Sequence, residues 1–150
     1  MKGKIERLQG DSWSAGVFVP ENPAAQPLPL IVMNLSDPAG LEPLLPELKR
    51  KMGKEMRPAY LAALDGSDWN RDSSPWPAPP LRPGEAPFPG GAPQRLRLLT
   101  EQVLPSLRAH YPICETPEDT GIFGYSLGGL AALYMAYESP EFGLVGCLSG

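Results

Sequence analysis

Hydrophobic positions along the chain fall into short continuous runs that alternate with longer, helically spaced segments. Continuous apolar runs are typical of strands buried on both faces of a sheet. Such runs predict four strands, at residues 28–33, 60–64, 121–125 and 142–148. Helical spacing or helix-forming composition predicts three helices, at residues 41–52, 93–109 and 127–138. We expect the second helix to be kinked at Pro105.

The order of these elements predicts the fold class. Residues 4–9 and 13–20 flank Gly10-Asp11-Ser12, which predicts an antiparallel hairpin near a sheet edge. From residue 28 onward strands alternate with helices, so we predict an α/β sandwich with a mainly parallel sheet and helices on both faces. In such sheets the ligand site lies beyond the carboxyl ends of the strands. The loops that follow the four predicted strands are therefore where we look for chemistry.

Composition and charge narrow the class of protein further. The 150 residues can form one domain, which we predict over residues 1–150, and 42% hydrophobic with 20% charged residues is typical of a folded protein. A net charge of −4 without a basic cluster argues against nucleic acid as a partner. No apolar run approaches the roughly 18 residues of a membrane helix. Cys114 and Cys147 make neither a disulfide scaffold nor a metal set, so we expect a cytoplasmic protein that needs no cofactor.

Proline is concentrated in one part of the chain. Eight of the 20 prolines lie within residues 75–93, and residues 66–92 show no hydrophobic periodicity. Loops of this length are usually functional or disordered. The aromatic side chains of Trp69, Trp76 and Phe88 favour an ordered flap, because disordered segments are poor in aromatic residues. Trp69 and Trp76 are candidate walls of a substrate pocket, with plain packing inside the loop as the alternative.

One loop carries a motif with a chemical meaning. Residues 124–128 read Gly-Tyr-Ser-Leu-Gly, the G-x-S-x-G pattern of a nucleophile elbow, in which a sharp strand-to-helix turn exposes a serine hydroxyl. The flanking glycines let the strand and helix backbones approach without Cβ clashes. Ser126 would lie at the start of a helix, where free N–H groups favour developing negative charge. The sequence context, strand-like before and helix-like after, favours a catalytic serine over an idle one in a glycine-rich turn.

The elbow, the strand at residues 28–33 and the Trp-rich segment at residues 68–76 together resemble an esterase branch of the α/β-hydrolases. That branch includes enterochelin-esterase-like and S-formylglutathione-hydrolase-like proteins. The resemblance implies a serine-dependent hydrolase that cleaves a carboxylic ester or thioester of a small molecule through an acyl-enzyme on Ser126. Acyl transfer by the same site is an alternative, and so is a non-catalytic hydrolase fold used for binding or assembly.

The same resemblance assigns further site residues. Leu127, the residue after the nucleophile, supplies the expected first oxyanion-hole N–H. The second donor in this family comes from the loop after the strand at residues 28–33. Here that loop reads Asn34-Leu35-Ser36, in place of the usual His-Gly or Asp-Gly turn, and Leu35 is the candidate, with Ser36 as the alternative. Asp65 ends a strand at the active edge and is a candidate pocket carboxylate, although Asp-Gly after a strand is also an ordinary turn pair.

The chain also departs from the family pattern. In this superfamily the triad runs in the order serine, acid, histidine, but no histidine follows Ser126. The single histidine, His110, is expected on the surface, at the opposite edge of the sheet. We expect the chain to be the N-terminal part of a longer hydrolase, with completion by a second chain or homo-oligomer, or an inactive relative, as alternatives. The last strand should be a sheet edge unless the strand order places it inside the sheet, and Cys147 within it should be buried.

Overall fold

A six-stranded sheet with the strand order β1-β2-β4-β3-β5-β6 forms the centre of the computed structural model, which describes residues 2–22, 24–36 and 39–150. The strands are β1 (Gly3–Gln9), β2 (Ser14–Pro20), β3 (Leu30–Asn34), β4 (Tyr60–Leu64), β5 (Thr120–Tyr125) and β6 (Leu144–Leu148). The four strands from β4 across to β6 are parallel to one another. The predicted α/β fold with a mainly parallel sheet is confirmed.

The N-terminal hairpin lies at one edge of this sheet, as predicted. β1 pairs antiparallel with β2, and β2 in turn pairs antiparallel with β4. The Gly10 N–H donates to the Trp13 carbonyl at 2.9 Å and closes the turn. The hairpin therefore extends the parallel part of the sheet by two strands on the side away from β6.

The described residues form five α-helices, which flank the sheet. They are α1 (Leu45–Lys51), α2 (Trp69–Asp72), α3 (Ala92–Leu98), α4 (Leu104–His110) and α5 (Leu127–Glu138). Successive strand residues point to opposite faces, so each strand contributes to two cores. Phe18 and Leu61 pack with Leu48 of α1, whereas the neighbouring Val17 and Ala62 belong to the larger cluster formed with α3, α4 and α5. Helices thus cover both faces, as expected.

The irregularity in the second predicted helix lies one turn earlier than expected. A π-helical turn over Leu99–Val103 joins α3 to α4, and the Leu104 N–H donates to the Leu99 carbonyl five residues back. Pro105 has no N–H and cannot continue an α-helical ladder. The backbone accommodates the proline by widening in the preceding turn. The sequence analysis therefore identified the proline that distorts the helix but placed the distortion one turn too late.

The loop over residues 66–92 is held together by its own hydrogen bonds. It contains the short helix α2, capped by the Asp68 side chain, which accepts from the Arg71 N–H. Ala78 and Phe88 form an isolated antiparallel bridge with two 2.9 Å backbone bonds. The buried Ser74 hydroxyl donates to the Asn70 carbonyl at 2.6 Å. The sequence pattern missed α2, because a helix of one turn is too short to show a periodicity.

β6 is the outer strand of the sheet, as expected, and its apolar side chains are only partly covered. Leu144, Val145 and Leu148 are 52%, 45% and 52% exposed. Cys147 is also exposed, so the prediction of a buried cysteine is wrong. The local sequence is as apolar as that of an inner strand, but an edge strand has one neighbour instead of two, and the described part of the chain covers it incompletely.

Candidate active site

Ser126 occupies a sharp turn between β5 and α5. Its backbone has φ 54° and ψ −128°, a conformation that residues with a Cβ rarely adopt. The Ser126 N–H donates to the Leu148 carbonyl of β6 at 2.7 Å, which holds the turn against the neighbouring strand. Strained backbone of this kind costs about 1–3 kcal/mol and persists only where the surroundings enforce it.

Two glycines make this turn sterically possible. A Cβ at Gly124 would overlap the Gly128 carbonyl, and a Cβ at Gly128 would lie 2.6 Å from the Trp69 ring. The close approach of strand to helix, which the sequence pattern predicted, is therefore present at the elbow. Trp69 reaches the elbow from the loop over residues 66–92, so the loop and the turn form one unit.

The hydrogen bonds at the start of α5 leave the N–H of Leu127 without a partner inside the helix. Gly129 and Leu130 donate their N–H groups to the Ser126 carbonyl, at 2.9 and 3.1 Å. The Ser126 side chain makes no capping hydrogen bond and the residue is exposed. The N–H of Leu127 belongs to the first turn, where N–H groups have no partner within a helix. This geometry suits an N–H donor to an oxyanion formed at Ser126.

A cavity of about 690 Å³ opens beside Ser126 and Leu127. Its walls come mainly from the loop over residues 66–92, and its lining comprises Trp69, Asn70, Ser74, Pro75, Trp76, Ala78, Leu81, Glu85, Ala86, Phe88, Ser126, Leu127, Leu130, Ser149 and Gly150. The structure thus brings Trp69 and Trp76 together with the two elbow residues. Trp76 and Leu81 are 58% and 83% exposed and form an apolar rim.

A nearly buried arginine holds the base of the loop behind Trp69. Arg95 of α3 is 15% exposed, donates to the Ser67 hydroxyl, and lies 3.9 Å from a carboxylate oxygen of Asp72. The other Asp72 contacts are with the Asp68 N–H and the Arg71 guanidinium. Burial lowers the pKa of Arg95, and the Asp72 charge opposes that effect. Arg95 therefore connects α3 to both ends of the segment that positions Trp69.

The remaining predicted site residues, Leu35 and Asp65, are not among the described residues that line the cavity beside Ser126. Asn34 donates its side-chain amide to the Gly128 carbonyl at 3.3 Å, which brings the loop that contains Leu35 next to α5. Leu35 and Asp65 line a second cavity of about 300 Å³. The Asp65 carboxylate accepts from Arg7 and, at 2.8 Å, from the Ser14 hydroxyl. Asp65 is thus tied to the hairpin, and its role as a pocket carboxylate stays a prediction.

His110 lies at the end of the sheet where the parallel strands begin, whereas Ser126 lies at the end where they finish. His110 ends α4, is exposed, and its Nδ1 lies 2.8 Å from the Ser106 carbonyl. The Pro112 carbonyl, two residues after His110, accepts from the Leu28 N–H at 3.0 Å, just before β3 begins. Ser126, in contrast, follows the end of β5. Parallel strands of five or six residues separate these two ends by roughly 17–20 Å. The structure therefore agrees with the expectation that His110 is not the base of Ser126.

Sequence reasoning missed Glu85 as a lining residue. The signal available was its position: Glu85 is the only acidic residue within residues 73–92, and it lies between proline-rich segments of the flap. Among the described residues, no group of three or more His, Cys, Asp or Glu side chains is placed to hold a metal ion. None of the helices in that part of the chain is long and apolar enough to cross a membrane.

Comparison with known proteins agrees with this architecture. Residues 10–150 match the family model described as "Putative esterase". The chain is 24% identical over 153 residues to the uncharacterized protein YbbA of Bacillus subtilis strain 168, covering all of this chain and 61% of that protein. The structure superposes on an IroE-like serine hydrolase from Shewanella oneidensis with a TM-score of 0.77 and 17% identity, over 96% of this chain and 49% of that one.

A second solved structure, the enterobactin hydrolase IroE in complex with DFP, superposes with a TM-score of 0.72 and 22% identity, over 93% of this chain and 60% of that one. The fold is thus that of the esterase-type α/β-hydrolases. The chain belongs to the esterase family whose model it matches, and it spans about half to three-fifths of the length of these relatives. The family resemblance seen in the sequence is confirmed.

Proposed function

We propose that this chain carries the nucleophile and part of the oxyanion hole of a serine esterase. The observation that carries the proposal is the strained, exposed Ser126 at the start of α5, beside an aromatic cavity of about 690 Å³. Membership of an esterase family supports ester hydrolysis. The serine hydrolase and the enterobactin hydrolase among the structural neighbours add support for a serine mechanism.

In the proposed reaction the Ser126 Oγ attacks the carbonyl carbon of a carboxylic ester or thioester. The carbonyl oxygen becomes an oxyanion that accepts a hydrogen bond from the Leu127 N–H. The Leu35 N–H is the second donor. Collapse of this intermediate breaks the bond to the alcohol or thiol, which leaves with a proton, and water then hydrolyses the acyl-enzyme. No step of this reaction calls for a metal or an organic cofactor.

The base that takes the proton from Ser126 is, in this proposal, a group outside residues 1–150. His110 is the single histidine of the chain and lies at the other edge of the sheet. A further polypeptide segment or a second subunit would supply the histidine and the acid. A substrate with a flat apolar group would suit the walls formed by Trp69, Trp76 and Phe88. The cytoplasmic location expected from cysteine usage stays a prediction.

The test is covalent labelling of the protein as it is made in the cell. A fluorophosphonate probe forms a phosphorus–oxygen bond with an activated serine and releases fluoride, so we expect the mass increase on the peptide that contains Ser126. Ser126→Ala should lose both the label and nitrophenyl-ester hydrolysis and keep its fold. Ser12→Ala, which removes an exposed hydroxyl from the hairpin turn, is the matched control and should behave as wild type.

Two results would contradict the proposal. One is equal esterase activity in wild type and Ser126→Ala. The other is a folded, complete protein in which the probe reacts at a different serine. Either outcome would assign the nucleophile to another residue. A complete protein that shows neither labelling nor hydrolysis would favour the alternative in which the hydrolase fold serves binding or assembly. Product formation only with an added alcohol or thiol acceptor would indicate acyl transfer.

A further inference from the structure

The cavity beside Ser126 has a one-sided distribution of charge. Among the side chains of the described residues that line it, that of Glu85 alone carries a formal charge, and neither lysine nor arginine contributes to the lining. Glu85 is exposed, and no ion pair with a described residue neutralises it. Its N–H donates to the Arg82 carbonyl at 3.2 Å in a turn, and Arg82 itself lies outside the lining. A ligand in this cavity therefore meets one uncompensated negative charge.

The hydroxyl and amide side chains that the flap contributes to the lining, those of Ser74 and Asn70, make hydrogen bonds within the loop. The Ser74 hydroxyl donates to the Asn70 carbonyl and accepts from the Gly90 N–H at 2.8 Å. The Asn70 amide donates to the Ala86 carbonyl at 3.4 Å. These groups are partly or wholly satisfied within the loop, so the polar recognition left to the flap wall comes chiefly from the Glu85 carboxylate.

The aromatic walls of the cavity favour a positively charged ligand, as the Glu85 carboxylate does. Trp69, Trp76 and Phe88 present rings to the cavity. The face of an aromatic ring is electron-rich and attracts cations, with tryptophan the strongest of the three ring types. Both the walls and the single carboxylate therefore favour positively charged or neutral groups and oppose carboxylates, phosphates and sulfonates.

We infer that this cavity selects esters whose flat apolar group is cationic or neutral and discriminates against anionic ones, with Glu85 as the specificity-determining residue. The inference rests on the proposed function, because it describes the substrate of the Ser126 site. For a ligand charge about 6 Å from the carboxylate in water, attraction or repulsion changes binding by a factor of about three. Cationic and anionic ligands of one shape should then differ by about tenfold at low salt.

The experiment measures binding and does not depend on turnover. Three naphthalene probes, which carry a methylammonium, a hydroxymethyl or a carboxylate group on the same ring position, are titrated by calorimetry. We expect the ammonium probe to bind about tenfold more tightly than the carboxylate probe at 20 mM salt. The neutral probe should lie between the two. At 0.5 M salt the ratio should shrink, because the screening length falls to a few ångströms.

Variants assign the effect to one residue. Glu85→Gln should remove the roughly tenfold preference for the ammonium probe that the carboxylate supplies and bring the ammonium-to-carboxylate ratio close to one. Glu101→Gln is the matched control, since it removes the same charge from an exposed position outside the cavity lining and should keep the full ratio. Trp76→Ala should weaken all three probes, which locates them in this cavity.

Three results would overturn the inference: no saturable binding of any probe, equal or tighter binding of the carboxylate, or an unchanged ratio in Glu85→Gln. Failure here is distinguishable from failure of the proposed function. We expect the probes to bind Ser126→Ala as well, whereas serine labelling and ester hydrolysis should be lost in that variant. A protein that is labelled at Ser126 and shows no charge preference would refute the charge selectivity alone.

Discussion

At the scale of single residues, the proposed nucleophile Ser126 has a strained backbone. Its φ of 54° is enforced by the 2.7 Å bond from its N–H to Leu148 and by the close contact of Gly124 with Gly128. A glycine would adopt the same conformation without a Cβ clash. The requirement for a hydroxyl at this point therefore opposes the requirement for stability, which is common at active sites.

A pair of substitutions at this position separates the two effects. Ser126→Gly and Ser126→Ala both remove the hydroxyl, but only glycine relieves the strain. Relief of about 1–3 kcal/mol is offset by about 0.5–1 kcal/mol of backbone entropy. We expect the glycine variant to exceed the alanine variant by about 1 kcal/mol in the free energy of unfolding, measured by urea titration with tryptophan fluorescence. An alanine variant as stable as the glycine variant would mean that the turn is unstrained.

At the scale of elements, the ordered flap depends on contacts from outside it. Arg95 on α3 reaches both Ser67 and Asp72, which bracket Trp69 at the start of the loop. The Gly91 N–H donates to the Arg71 carbonyl at 2.7 Å and closes the other end. The flap is thus fastened to the helix that follows it, and its aromatic side chains are held over the elbow.

Removal of the Arg95 charge should loosen this attachment. Arg95→Met keeps the apolar stem and leaves Asp72 with one ion-pair partner fewer, so we expect a loss of about 1–3 kcal/mol in the free energy of unfolding. Arg97→Met on the same helix is exposed and should change stability by less than about 0.5 kcal/mol. Urea unfolding of both variants makes the comparison, and an equal effect of the two substitutions would argue against the fastening role of Arg95.

At the scale of the whole molecule, the two edges of the sheet differ. The β1 edge carries charged residues, among them Lys4 and Glu6, which form an ion pair at 2.7 Å. The β6 edge is apolar, with Leu144 and Val145 about half exposed, and Tyr137 of the adjacent helix α5 is 88% exposed. Charged edges resist strand pairing with other chains, whereas flat apolar edges favour it.

The chain of residues 1–150 should therefore associate through β6. We expect its weight-average mass in sedimentation experiments to rise with concentration, and we expect strong binding of a hydrophobic dye. The double variant Leu144→Lys/Val145→Lys places a charge on each face of β6 and should reduce both effects.

The matched control is Leu81→Lys, which changes an exposed leucine of the flap and leaves β6 unaltered, so it should leave association intact. A monomer at every concentration, with weak dye binding, would contradict the prediction. So would equal loss of association in the control and in the double variant.

Features that depend on neighbours along the chain could be predicted from the amino-acid sequence alone. The alternation of apolar runs and helical spacing identified the strands and the main helices, because burial of a strand or one helix face imposes a local period. The G-x-S-x-G pattern located the elbow, because the close approach at Gly124 and Gly128 admits no larger residue. The order of the strands along the chain was enough to place His110 at the edge opposite Ser126.

The exposure and contacts of some residues depend on distant parts of the chain and became visible only in the tertiary structure. The apolar run at residues 144–148 reads like an inner strand, and only the strand order makes it an edge and exposes Cys147. Arg95 and Glu85 look like ordinary surface charges in the sequence. One is nearly buried and the other lines the cavity, because the flap folds back over α3 and the elbow. Such contacts join residues far apart in the chain, and no local pattern records them.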